Sequence, residues 1–431
     1  MNRTHYPQLD EILYHGRLPN GLTVAVVPKE GFSKKLAYFV TDFGSIHTDF
    51  LFEGQEHHVP AGIAHYLEHK LFDMPDGRDV SAEFAALGAI TNAFTSYDMT
   101  AYYFSCTENF EDCLRLLLEF VSTPYFTEES VRKEQGIIDQ EIGMNEDAPE
   151  SKVFENLVST LYHRHPIRVP ILGTSESIRE ITADTLHLCH RAFYTPGNMM
   201  LCVIGDVDAE EVATISEEIL GKDSRPVAQK LNNWEETLVC PQSETLSRME
   251  VAMPMFDLAF KSRPLGKGDE AIRQEMIADL AAEALFGESS ELYLRLYEEG
   301  IIDSSFGGGF ETIDGCAMLM CSGDSENPEA VREAILAQAE KLAKEGIPEA
   351  NFLRMKRSAL GRRIRALDSF DATCFRVCAY HFTDFDYFRF PEVYASVTAE
   401  EILDFLREVI RQARCALAVV HPLNNETEGS V

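Results

Sequence analysis

Five consecutive residues, His65-Tyr66-Leu67-Glu68-His69, carry side chains whose types and spacing could do chemistry. Two histidines four positions apart lie on one face of a helix, a turn apart, so both imidazoles can reach one metal ion. Glu68 falls one residue before the second histidine, on nearly the same face. A carboxylate there is close enough to a metal-activated water to take its proton. The order H-x-x-E-H reverses the H-E-x-x-H arrangement of zinc hydrolases. The competing reading is an exposed helix whose histidines are satisfied individually.

A hydrolytic zinc site needs a third protein ligand and an open fourth position. The stretch Glu134-Gln135-Gly136-Ile137-Ile138-Asp139-Gln140-Glu141 offers two carboxylates seven positions apart, which project from the same face of a helix two turns on. One of the two can bind the metal while the other supports a histidine or a substrate group. From spacing alone either assignment is open, and so is a pair of surface carboxylates in an acidic chain.

The elements that must position these residues are legible as patterns. Leu18-Pro19-Asn20-Gly21 is a turn, and the β-rich run Leu22 to Val27 after it completes a hairpin. Lys35 to Val40 is a second strand. Ile63, Leu67 and Leu71 at i, i+4 and i+8 make 62–72 a helix. Residues 91–104 read as a strand, or two strands with a turn near Ser96 to Asp98. Helices are expected at 110–121, from 128 towards 144, and at 184–193, with a buried strand from Met199 to Ile204. Thr182-Ala183-Asp184 begins a helix that leads to Leu201-Cys202-Val203-Ile204. Without a gap, 216 positions on, Thr398-Ala399-Glu400 begins a helix that leads to Leu417-Ala418-Val419-Val420. Threonine caps both starts, which points to a duplicated domain.

The 431 residues, 45% hydrophobic and 25% charged, have the make-up of a globular protein. Single cores stop growing near ~250–300 residues, so two domains of roughly 200 residues each are expected. The polar stretch from Gly221 to Thr237 is the linker candidate, which gives domains at 1–222 and 238–431. No run reaches the ~18 apolar residues of a membrane helix, and the first ten residues contain no apolar run of a signal peptide. The expectation is a cytoplasmic protein with ten reduced cysteines, none of them in a C-x-x-C pair. A net charge of −33 would repel nucleic acid and keep the surface solvated.

The motifs taken together resemble the pitrilysin (M16, inverzincin) family of metallopeptidases, which includes insulin-degrading enzyme and the mitochondrial processing peptidase. Gly62 to Phe72 resembles their active-site helix and Leu18 to Leu22 their first strand. Thr91-Asn92-Ala93-Phe94-Thr95-Ser96 resembles their substrate-binding edge strand, Glu134 and Glu141 their downstream acidic pair, and Thr195 to Met199 with Gly205-Asp206 the end of their first domain. The likeness spans most of residues 18–206, weakens beyond about 240, and is strongest to the bacterial two-domain subunits of this length.

That resemblance implies an α+β fold of two similar domains, each an antiparallel sheet packed with helices, the first catalytic and the second not. It implies Zn²⁺ held by His65, His69 and Glu141, with Glu68 as base and Glu134 as a supporting partner. Asn92, Ala93 and Phe94 would offer a strand edge to an extended peptide substrate, which is β-augmentation. Relatives also carry an arginine followed seven residues later by a tyrosine. Leu294 to Gly300 resembles that segment, so Arg295 could contact a substrate carbonyl, but Ile302 stands where the tyrosine belongs. A homodimer, or a heterodimer with a related subunit, would close a chamber. The alternative role is a non-catalytic subunit or peptide-binding scaffold.

Other constellations lead nowhere. His57-His58 are adjacent and point apart, and His163 and His165 flank Arg164 without a useful carboxylate. Gly307-Gly308-Gly309 lacks a phosphate-loop spacing. In the acidic run from Asp206, Glu211 stands where a calcium loop needs glycine. Aligning Leu71-Phe72 with Leu285-Phe286 sets Asp279, Ala282 and Glu283 opposite His65, Glu68 and His69, so the second half has no site of its own.

Overall fold

In the computed structural model, residues 1–232 and 234–423 are described. Asn233 of the expected linker, and residues 424–431 of the second expected domain, lie outside the described residues. The chain forms two compact units that exchange segments. The first comprises Met1–Ile142, Val169–Asn233 and Arg363–Pro391, the second Gly143–Arg168, Trp234–Arg362 and Glu392–Val431. This grouping does not follow a single cut between 222 and 238. The helix Pro149–Leu161 packs on strands formed after residue 244, while the helix Phe370–Phe382 packs on strands formed before residue 206. Long-range burial, which no local signal reports, overrides chain order.

The first unit is built on a seven-stranded sheet. Its strands are β1 (Asn2–Tyr6), β2 (Glu11–Arg17), β3 (Thr23–Pro28), β4 (Lys35–Thr41), β7 (Ile90–Thr95), β8 (Thr100–Cys106) and β9 (Met199–Gly205), in the order β1-β2-β3-β9-β4-β8-β7. All pairs are antiparallel except β3 with β9, which run parallel. A smaller sheet joins β5 (Asp49–Phe52), β6 (Gln55–His58) and β10 (Gln229–Lys230) in the order β10-β5-β6. The stretch expected as a linker therefore contributes a strand, and Lys230 Nζ lies 2.6 Å from Asp42.

Alternation along the central strands explains the layering. Val24, Val26, Ala37, Phe39, Leu201 and Val203 point into one core with Tyr66, Leu67, Leu117, Phe120 and Leu186 from the covering helices. The opposite face of β9 meets the helix Phe370–Phe382, where the Cys374 thiol reaches the Cys202 carbonyl. With both faces covered, every residue of β9 is buried, the condition that produces an uninterrupted apolar run.

The second unit has a five-stranded sheet of β11 (Glu244–Met249), β12 (Met255–Ser262), β13 (Gly307–Ile313), β14 (Cys316–Asp324) and β15 (Cys415–Pro422), ordered β11-β15-β12-β14-β13. Its sole parallel pair is β11 with β15. The first unit's β3-β9-β4-β8-β7 follows the same path. Thr182 and Thr398, the two caps matched in the sequence, each close a capping box at the start of the helix before β9 or β15. The repeat is thus a repeat of topology, and the α+β reading with two similar halves holds, with one parallel pairing in each of the two larger sheets. Gly307-Gly308-Gly309 opens β13 as extended strand rather than a phosphate loop. Tyr380, Tyr387, Phe388 and Phe390 are buried core residues. No described helix is long and apolar enough to cross a membrane.

The start of the histidine helix depends on a close backbone crossing. Gly62 caps it at φ 88°, and a Cβ there would sit 2.4 Å from the Leu172 carbonyl oxygen. Gly173, at φ 77°, would bring a Cβ within 2.6 Å of the Ala61 oxygen. Both conditions exclude a side chain, because left-handed backbone strains any L-residue and backbone cannot yield. Gly62→Ala is expected to destabilise the fold by at least about 1–2 kcal/mol, read as a lowered chemical-denaturation midpoint against wild type. An unchanged midpoint would show that the crossing relaxes freely.

Candidate metal centre

Two helices of the first unit supply the site. The helix Ile63–Lys70 buries Ile63, Tyr66 and Leu67 against the sheet, which leaves His65 and His69 on the adjoining face. The helix Glu128–Glu146 buries Val131, Ile138 and Ile142. Glu134 and Glu141 share that inward face, because 131, 134, 138, 141 and 142 follow the helical period. The Tyr66 hydroxyl donates to the Val131 carbonyl and ties the two helices together.

The result is one cluster. The imidazole centroids of His65 and His69 lie 4.6 Å apart. Glu141 spans both rings, with Oε1 3.6 Å from His65 Nε2 and Oε2 3.6 Å from His69 Nε2. One ligand atom from each of the three lies within 4.8 Å of the others, the only such group of three among the described residues. Bonds of ~2.0–2.1 Å at tetrahedral angles place ligand atoms roughly 3.3 Å apart, so the cluster has the dimensions of a zinc site. Its donor set, two imidazoles and one carboxylate, is that of zinc sites that keep a position open.

The protonation pattern also fits. His69 Nδ1 lies 3.0 Å from Glu134 Oε1. With the proton on Nδ1, donated to Glu134, Nε2 presents its lone pair to the cluster. Burial opposes charge on His69, but the Glu134 hydrogen bond and the carboxylates of Glu68, Glu134 and Glu141 prevail, raising its pKa above 6.5. Glu134 is held below its usual range, first by the His69 hydrogen bond and against burial. Glu141 is likewise lowered, first by its interaction with His65. The Nδ1 of His65 is buried with no hydrogen-bond partner among the described residues, an arrangement that costs about 1–3 kcal/mol and that a ligand on Nε2 would offset.

Glu68 is buried at 8% exposure. Burial raises its pKa, opposed by a hydrogen bond from Thr95 and by the two histidines. Thr95 Oγ1 donates to Glu68 Oε2 at 2.5 Å. Thr95 ends β7, so the strand next to the site holds the carboxylate that neighbours the cluster. The sequence pattern gives Thr95 no role of its own; its place on the same strand as Asn92 is the signal that could have found it. Lys70 was also missed. It is 1% exposed, and its placement four residues after buried Tyr66 was the clue.

The other candidates fall in separate places. β7 is the outer strand of its sheet. The Ala93 amide donates to the Asn92 side-chain oxygen at 2.9 Å. Phe94 packs its ring near Tyr38, Tyr103 and Phe375. Strand alternation puts Thr95 and Ala93 towards the histidine helix and Phe94 on the reverse face, so the Phe94 side chain points away from the cluster. Arg295 is exposed on the helix Glu291–Glu298 of the second unit. Ile302 is buried and Tyr297 stacks on Tyr293. Asp279 accepts a hydrogen bond from Tyr394 and Glu283 pairs with Arg362. His57 stacks on Phe50 and His58 pairs with Asp49.

Residues 54–175 match the model of the insulinase family, peptidase family M16, and residues 180–359 match that of the peptidase M16 inactive domain. The chain is 38% identical over 423 residues to the uncharacterised zinc protease YmfH of Bacillus subtilis, covering 97% of this chain and 98% of that one. It superimposes on the crystal structure of an M16-like peptidase from Alicyclobacillus acidocaldarius with a TM-score of 0.92 and 33% identity, over 96% and 99% of the two chains. A peptidase M16 inactive domain from Pseudomonas fluorescens shares the fold at a TM-score of 0.79 and 17% identity, over 95% and 98%. The chain belongs to peptidase family M16.

Proposed function

We propose that this protein is a zinc-dependent endopeptidase that hydrolyses peptides or unfolded protein segments. The observation that carries the reading is the convergence of His65, His69 and Glu141 on one point beside the buried carboxylate of Glu68. Those three residues would hold Zn²⁺, which when bound would supply Lewis acidity for hydrolysis. Glu68 takes the proton of the attacking water and returns it to the leaving amine. Thr95 keeps the carboxylate oriented, and Glu134 fixes the His69 ring. The main chain of β7 around Asn92 and Ala93 binds the substrate as an added strand, so recognition rests on backbone more than on side chains. Arg295 would assist at a substrate carbonyl, and a second copy or a related subunit would complete a chamber.

The alternative, a non-catalytic or scaffold subunit, draws support from the inactive-domain match over residues 180–359. The metal cluster and Glu68 lie outside that range, in the half that matches the insulinase model. An intact base and ligand set beside an open strand edge favours catalysis.

Glu68→Gln is expected to bind zinc in the same one-to-one ratio as wild type while kcat for a casein-derived peptide falls by about 10²–10⁴. Wild type and variant are assayed side by side, with metal content measured by atomic emission; equal cleavage by both would remove Glu68 from the mechanism. His69→Ala is expected to lose the ion itself under the same dialysis. Metal affinity should also depend on pH. The ligand imidazole must be neutral to bind, and the surrounding carboxylates hold the His69 pKa above 6.5. Zinc affinity should therefore climb as pH rises through and beyond that value, then level off. An affinity flat between pH 6 and 8, measured against a chelator of known affinity, would contradict the coupling.

A further inference from the structure

We infer that Lys70 is a positioning residue of the metal centre, acting through Glu134 on His69. The inference rests on the reading of His65, His69 and Glu141 as a zinc site.

Lys70 is 1% exposed, and taking an ammonium out of water costs several kcal/mol unless partners compensate. An unbranched apolar side chain of similar length would fill the same space without that cost. The partners around its Nζ indicate what the charge does. It donates to the Asp73 carboxylate, lies 3.5 Å from the Ser130 carbonyl, and stands 3.9 Å from Glu134 Oε2. Ser130 and Glu134 are one turn apart on the helix that also carries Glu141.

Glu134 thus has a partner at each oxygen, one hydrogen-bonded and one a longer-range charge. Oε1 takes the His69 Nδ1 hydrogen bond at 3.0 Å and Oε2 faces the ammonium. A hydrogen bond on one oxygen and a facing ammonium on the other favour one plane for the carboxylate, and that plane sets the rotation of the His69 ring and the direction of its Nε2. Without the ammonium, Glu134 can turn about its last bond and release the ring. A positive charge near a cation site would by itself weaken cation binding. Here Asp73 neutralises that charge through its own contact, so the effect of Lys70 passes through the placement of Glu134.

Removing the group that orients a metal-bound histidine lowers metal affinity about 10–100-fold. Lys70 stands one step further out, so the lower figure, about tenfold, is expected. The test is a double-mutant cycle on full-length protein, read as Zn²⁺ affinity by competition with a chromophoric chelator. Lys70→Met and Lys70→Gln, the second keeping a buried donor without the charge, are each made in wild-type and Glu134→Gln backgrounds. Both should weaken zinc about tenfold in the wild-type background and change it less than about twofold in Glu134→Gln. Rescue by Lys70→Arg, which restores the charge, should recover part of the loss. Equal losses in both backgrounds, or no loss in either, would overturn the inference and leave Lys70 a packing element. Wild-type protein that takes up no zinc would instead remove the metal reading beneath it.

Discussion

A single contact organises the site: the Glu141 carboxylate lying across the Nε2 atoms of two histidines that belong to another helix. Everything near it serves to hold those two helices at one separation. The Tyr66–Val131 hydrogen bond spans the gap, the apolar faces of both helices share one core, and Gly62 and Gly173 allow the chain to cross closely just before the histidine helix begins. A slip of one helical residue would turn either Glu141 or the imidazoles away, since successive side chains on a helix differ in direction by about 100°. Precision at the ligands is therefore a property of the packing beneath them.

Charge is the second constraint. Glu68, Glu134 and Glu141 crowd two imidazoles in a half-buried region, and such a group is stable only if each carboxylate has a distinct counterpart. Thr95 serves Glu68, His69 and Lys70 serve Glu134, and the two histidines serve Glu141. The same partners separate the roles. Glu68, whose burial outweighs the Thr95 hydroxyl and the two histidines, is pushed towards the protonated form. Glu134 and Glu141, given imidazoles, are held as anions. One carboxylate is thereby suited to exchanging a proton and two to staying charged.

The duplicated topology places this arrangement in context. Both units run their sheets in the same order and cap the corresponding helices with threonine. In the second unit the corresponding positions, Asp279 and Glu283, are spent on Tyr394 and Arg362. The shared scaffold does not require the cluster of His65, His69 and Glu141. A fold of this kind is sustained by its sheet and helix packing, and the site is an addition carried by a few side chains.

By itself the sequence determined the features that depend on local period. The i, i+4 spacing of His65 and His69, the apolar stripe that makes their segment a helix, the seven-residue spacing of Glu134 and Glu141, and the two threonine caps all follow from residues close together in the chain. Resemblance of the ordered motifs then distinguished Glu141 from Glu134, which spacing alone left open. Tertiary structure decided what depends on residues far apart. It closed Glu141 onto both rings across more than 70 positions, brought Thr95 to Glu68, buried Lys70 beside Glu134, and turned Phe94 to the reverse face of β7. It also took Gln229–Lys230 out of an expected linker and into a sheet, and assigned 143–168 and 363–391 to units their chain order does not suggest. The physical reason is the same each time. Periodicity says which side of an element faces inward, whereas the partner it meets there is chosen by burial and hydrogen bonding summed over the whole fold.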